Sequence, residues 1–189
     1  MKTNPTALTC ALLVSACSLC TVMTAETTTT TSSTTDRRPV STVAVDSKLS
    51  HGDRAFFEKA AKAGHKEISV SQGALDRLNN PQVKQFAQMM VSDHGSANAE
   101  LMTLATAKGV TIDLKDTKDL KLEEKWSKKT KGVDEDYMEE MVSDHKDAVD
   151  LFEKAAKSDD PDIAAFARKT LPTLQAHLSQ AKDLKKLVK

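Results

Sequence analysis

From Leu49 onward, apolar residues recur with the period of an α-helix, and nowhere do they alternate as a half-buried strand would. That pattern restricts this part of the chain to helices packed on helices. Four long stretches carry it. The first runs over about residues 51–78, with Ser50 and Asp53 as a capping-box start. Its apolar stripe is Phe57, Ala61, Gly64, Ile68 and Leu75. The second runs over about residues 81–108: Asn80 caps it, Pro81 takes the first helical position and Gly109 stops it. The third covers about residues 134–157, with Asp134 as cap after Gly132. The fourth covers about residues 161–188 and opens on Asp160-Pro161, the same cap grammar as the second. Pro172 lies opposite the fourth helix's stripe of Ile163, Ala167, Leu174 and Ala181, which predicts a kink convex to solvent.

About 25 residues separate the second and third helices, too many for a simple hairpin, and a short helix is expected over 116–129. A long crossover of this kind occurs in ferritin-like bundles. The expected fold class is therefore all-α: a ferritin-like four-helix bundle over residues 49–189, with a long, partly helical connection between its second and third helices. Two internal echoes accompany it. Met90-Val91-Ser92-Asp93-His94 returns as Met141-Val142-Ser143-Asp144-His145, and the Pro81 to Ala87 segment resembles Pro161 to Ala167. They relate different helix pairs and do not reduce to one duplication.

The segment before the bundle reads as an address and a tether. Lys2 supplies a positive start and Ala7 to Ala16 a short apolar core, as in a signal peptide over 1–25. That core is short of the roughly 20 residues a membrane span needs. Leu13-Val14-Ser15-Ala16-Cys17 resembles a bacterial lipoprotein cleavage motif, which would leave Cys17 lipidated and anchored to a membrane. Cleavage after Ala25 fits the same grammar and would release a soluble exported protein. Residues 26–48, rich in threonine and serine, read as a disordered linker. Localisation in the periplasm or at the outer membrane is the expectation.

Composition excludes several classes of function. Lys plus Arg and Asp plus Glu balance at 27 each and aromatics make up 4%, so neither a basic field nor stacking platforms recruit nucleic acid. All three cysteines, Cys10, Cys17 and Cys20, precede the bundle, which removes thiolate catalysis and cysteine zinc sites from it. Ser92-Asp93-His94 is no catalytic triad: consecutive helical residues diverge by about 100° and cannot form the relay. No phosphate loop or dinucleotide fingerprint is present. No catalytic residue is assigned.

The repeated pentapeptide carries the chemistry that remains. His94 and His145 fall at the centres of their helices and His177 lies about three residues, or about 4–5 Å, from the centre of the fourth. Met90 and Met141 lie within the inward stripes, while Asp93/His94 and Asp144/His145 flank them, the two members about 100° apart. On the first helix Glu67 faces inward and His65 outward. One layer can thus collect Glu67, Asp93, His94, Asp144, His145 and His177. Carboxylates and imidazoles from several helices are how bundles bind iron, zinc, copper or manganese. The Met/His spacing of four would suit a softer ion such as copper. The same residues could instead form a hydrogen-bonded network that fixes helix register, with no metal. A metal-dependent oxidoreductase is a third reading, and it requires an open coordination position.

The chain from His51 to Val188 resembles the bacterial ferritin-like domain of unknown function 4142. The residues that carry the resemblance are Phe57 with Ala60-Ala61, Gly64 and Glu67; Asn80-Pro81 with Phe86-Ala87, Met90 and Asp93-His94; Ala97 to Leu101; Lys108-Gly109-Val110; Tyr137 with Met141 and Asp144-His145; and Leu171-Pro172-Thr173-Leu174 with His177-Leu178. The resemblance implies an exported or envelope-located four-helix domain with no established activity. It places the polar signature at Glu67, Asp93, His94, Asp144, His145 and His177. The di-iron pattern of the wider ferritin-like group needs Glu-x-x-His on two helices. Val91, Val142 and Leu174 stand three residues before the three histidines, which points to a mononuclear site or none.

Overall fold

The structure, a computed structural model, describes residues 49–114 and 118–189. The signal segment, the tether and Cys17 lie outside the described residues. Those described form five helices and no strand: α1 (His51–Ala74), α2 (Pro81–Ala107), α3 (Lys118–Ser127), α4 (Val133–Ala155) and α5 (Pro161–Leu187). None of them is long and apolar enough to cross a membrane.

Local chemistry sets the ends. The Ser50 hydroxyl accepts from the Asp53 N–H at 3.0 Å and opens α1. Asn80 and Asp160 each accept from two backbone N–H groups behind a proline at the first turn, and so open α2 and α5. Helix α4 departs from the sequence reading. Its N-cap is Gly132, in the left-handed conformation at φ 58° and without a side-chain cap bond. Asp134 is spent elsewhere: its carboxylate accepts from the backbone N–H groups of Asn79 and Asn80. It thereby ties the start of α4 to the α1–α2 turn. Helix α1 also ends earlier than expected, at Ala74, where the chain turns so that Leu78 can bury. Helix α5 runs unbroken through Pro172, which lies on its exposed face.

The four long helices close into a ring in the order α1, α2, α5, α4. One end of the ring is marked by the Asp134 bonds to the α1–α2 turn. The other end is marked by Ser158 on Asp53 at 2.6 Å and by Lys108 on Asp160 and Asp162, each at 2.7 Å. Neighbours in the ring therefore run antiparallel, and the diagonal helices α2 and α4 run the same way. A parallel pair needs a connection that travels back along the bundle, and residues 108–132 provide it. Helix α3 within that connection lies on α1 at Gly73, where an added Cβ would run into the backbone of Glu123. Gly73→Ala is therefore expected to undock α3. The overpacking outweighs the roughly 1 kcal/mol gain in helix propensity, for a net loss of about 1 kcal/mol or more. The buried Trp126 on α3, the chain's single tryptophan, reports this as a red-shifted emission.

The core comes in two parts. One cluster gathers Val70, Phe86, Met90, Tyr137, Met138, Met141 and Leu184 towards the Asp134 end. The other gathers Phe56, Phe57, Leu101, Phe152, Ile163, Phe166 and Leu174 towards the Lys108 end. Between them lies a buried polar layer that includes Glu67, His94, His145 and His177.

A three-histidine centre between the two cores

The ring explains the repeated pentapeptide. Its copies sit on the two diagonal, parallel helices, so His94 and His145 meet across the middle of the bundle at the same height. Their Nε2 atoms are 3.4 Å apart. His177 reaches the same point from α5. One ring nitrogen from each of the three lies within 4.8 Å of the others. Ring centroids are 5.4 Å (His94–His145), 5.7 Å (His94–His177) and 5.4 Å (His145–His177) apart. Phe86 packs on the rings of His145 and His177 from the first core cluster. Exposure is 7% at His94, 0% at His145 and 3% at His177.

Hydrogen bonds assign the protons. His145 Nδ1 lies 2.9 Å from the carbonyl oxygen of Met141, which can only accept, so the proton sits on Nδ1 and Nε2 keeps a lone pair. His177 Nε2 lies 3.1 Å from the Asp93 carboxylate and donates to it, which leaves His177 Nδ1 as the nitrogen with the lone pair. That Nδ1 is buried and has no partner. A carbonyl behind one imidazole and a carboxylate behind another is the support that metal-binding histidines ordinarily have. For an ion held by these rings, Asp93→Ala would weaken binding by about 10- to 100-fold without removing a ligand, as measured by competition titration.

Burial keeps the rings neutral. Desolvation, then the neighbouring His145 and His177, lowers the His94 pKa to about 3. Desolvation lowers His145 to about 4, against the pull of the Met141 carbonyl. Desolvation also lowers His177, with Asp93 opposing it. Neutral imidazole is the form that donates a lone pair to a cation.

The carboxylates behave less alike than their shared motif suggests. Asp93 serves His177 from the bundle's edge, its side chain 40% exposed. Asp144, in the identical position of the second copy, turns to α1 and holds Lys66 with both oxygens at 2.7 Å. It is not among the converging groups. The two copies are equivalent in sequence, but the helix facing each aspartate differs: α5 offers an imidazole where α1 offers an ammonium. Glu67 does face inward, as its phase predicts, yet its Oε1 stands 3.6 Å from His145 Nδ1, the proton-bearing side of that ring. It therefore lies behind His145, outside the three-nitrogen set. Burial, then Asp144, pushes its carboxyl well above the usual range. His65 is half-buried and apart from the site. Met90 and Met141 are fully buried in the first cluster, as core. The flanking phases assigned to His94 and His145 understate their burial, because a helix with two neighbours in a closed ring buries a wider sector than its apolar stripe marks.

Two buried polar residues escaped the sequence reading. Asn98 stands one turn beyond His94, and Ser71 one turn beyond Glu67. Ser71 Oγ bonds the hydroxyl of buried Tyr137 at 2.8 Å. Both extend the polar signature at a spacing of four, the signal that could have found them.

The family model described as Domain of unknown function (DUF4142) matches residues 38–184. No curated protein matches the chain. Among solved structures, the crystal structure of a DUF305 fragment from Deinococcus radiodurans is similar, with a TM-score of 0.61. The likeness covers 72% of this chain and 97% of that one at 10% identity, and so concerns the helical fold alone.

Proposed function

The chain belongs to the DUF4142 family, a domain of unknown function, and from that premise we propose an exported envelope protein whose ferritin-like four-helix domain binds one transition-metal ion at His94, His145 and His177. The observation that carries the reading is the set of three buried imidazoles, each with a ring nitrogen in reach of the other two; His177 Nδ1 is in addition buried without a partner. An orphaned buried acceptor costs about 1–3 kcal/mol. A cation bound there recovers it. Three imidazoles suit zinc, copper or iron(II), whereas manganese prefers carboxylate and water oxygens. The ferritin-like reading rests on the single long crossover between parallel helices. Support for export lies in the sequence: the Lys2 start, the Ala7 to Ala16 core and the motif ending at Cys17, whose lipidation would anchor the domain to a membrane.

Elemental analysis and metal titration of tag-free protein test the binding. One ion per chain at micromolar affinity or better, with a melting temperature that falls in chelator, is the expected result. Binding no tighter than millimolar with an unchanged melting temperature would sink the reading.

The division of the core favours one alternative, a polar layer that only sets helix register. Three histidines in the middle of an apolar stack penalise any sliding of one helix past another. That alternative predicts a cooperative, correctly packed bundle indifferent to metal.

A further inference from the structure

One turn towards the Lys108 end from the histidine layer lies a small, partly open pocket of about 30 Å³. Its lining brings His94, Glu67, Asn98 and Asp144 together with apolar Leu101, Phe166 and Leu174. That is more than the roughly 10–15 Å³ that one water molecule requires. Two of the wall residues each leave a buried polar atom without a partner: Glu67 Oε2 and Asn98 Nδ2. Their residues are 3% and 8% exposed. One supplies carboxyl oxygen and the other an amide N–H, so a single protic molecule could donate to the first and accept from the second. Gly64 gives the Asn98 carboxamide its place, since a Cβ at that position would overlap it. Apolar cavities of this size stay dry, whereas one with convergent polar partners fills.

We propose that this cavity is a binding position for water, or a protic molecule of that size such as hydrogen peroxide, held by Glu67 and Asn98 and delivered past His94 to a metal on the three histidines. The second half rests on the metal reading above; the first half does not. Three protein ligands would leave a fourth position for a small molecule on an ion held there, and one kept beside His94 could fill it. A closed site would store or buffer an ion. An open one exchanges its fourth ligand with whatever the cavity admits.

Two measurements on the full folded domain separate the two halves. In metal-free protein, the side-chain amide protons of Asn98 should show NMR cross-relaxation to a long-lived water; its absence overturns the proposal at once. In protein loaded with cobalt(II), the visible ligand-field spectrum should change in Asn98→Leu, a near-isosteric replacement that removes the donor. It should change in Asn98→Asp as well, which removes the donor and keeps the shape should Asn98→Leu fold poorly. A long-lived water with spectra unchanged in both variants overturns the link between cavity and metal. Failure of cobalt(II) to bind at all overturns the metal reading and the delivery step, while the water signal still decides the cavity.

Discussion

Replacing His145 with leucine is expected to abolish tight metal binding while leaving the bundle folded. His145 is the fully buried member of the three, and its Nε2 lone pair faces His94 across the core. Its loss leaves two imidazoles, and affinity should fall by more than about 100-fold, or about 2.8 kcal/mol. The fold tolerates the change because little depends on the imidazole's polarity. The Met141 carbonyl that accepts from Nδ1 also lies four residues back in a continuous helix, so it keeps its backbone partner. Leucine has nearly the volume of histidine, so neither a large cavity nor overpacking follows. Removing a desolvated polar group between two apolar clusters can even stabilise metal-free protein. Calorimetric titration reads the first effect and urea denaturation in chelator the second. Retained affinity would remove His145 from the site.

The second large effect is loss of stability in acid by metal-free protein. Above about pH 6.5 the imidazoles are neutral in both folded and unfolded chains and contribute no pH dependence. Below that, the unfolded chain takes up protons that the native state refuses until about pH 4 at His145 and about pH 3 at His94. His177 is lowered in the same direction. Native stability is therefore full above the unfolded value and falls as pH drops through this window, by up to about 1.4 kcal/mol per pH unit for each group. Glu67 acts in the opposite sense: its raised pKa lets the native state hold a proton, so acid favours folding through that residue. One carboxyl does not offset three imidazoles. Unfolding free energies from urea melts should fall steeply between about pH 6.5 and pH 4.5, by several kcal/mol against a total of about 5–15 for a domain of this kind. His94→Leu with His145→Leu should flatten the curve. An equally steep curve in that double variant would place the acid sensitivity elsewhere.

Much of the fold was legible because each helix announces itself locally. The Asn80-Pro81 and Asp160-Pro161 caps stand where α2 and α5 begin. The length of the connection between the second and third helices implied a crossover. The start of α4 was misread because Asp134 has good cap chemistry but a better use: bonding the α1–α2 turn is a long-range contact that propensity does not see. The site was legible as a list of residues and not as an arrangement. Helix phase put Glu67 inward, where it is buried, and His65 outward, where it is half-buried. It could not distinguish Asp93 from Asp144, since their sequences are the same and only the facing helix differs. Nor could it say that Glu67 stands behind His145, because that depends on which ring nitrogen carries the proton.

The central claim is that three imidazoles from three helices converge on one ion. X-ray absorption at the metal edge, on protein loaded with one equivalent of zinc, tests it most directly. The account predicts three imidazole scatterers at about 2.0–2.1 Å, in a spectrum that is lost when His145 is leucine. A first shell without imidazole scattering, or one unchanged by that substitution, would contradict it.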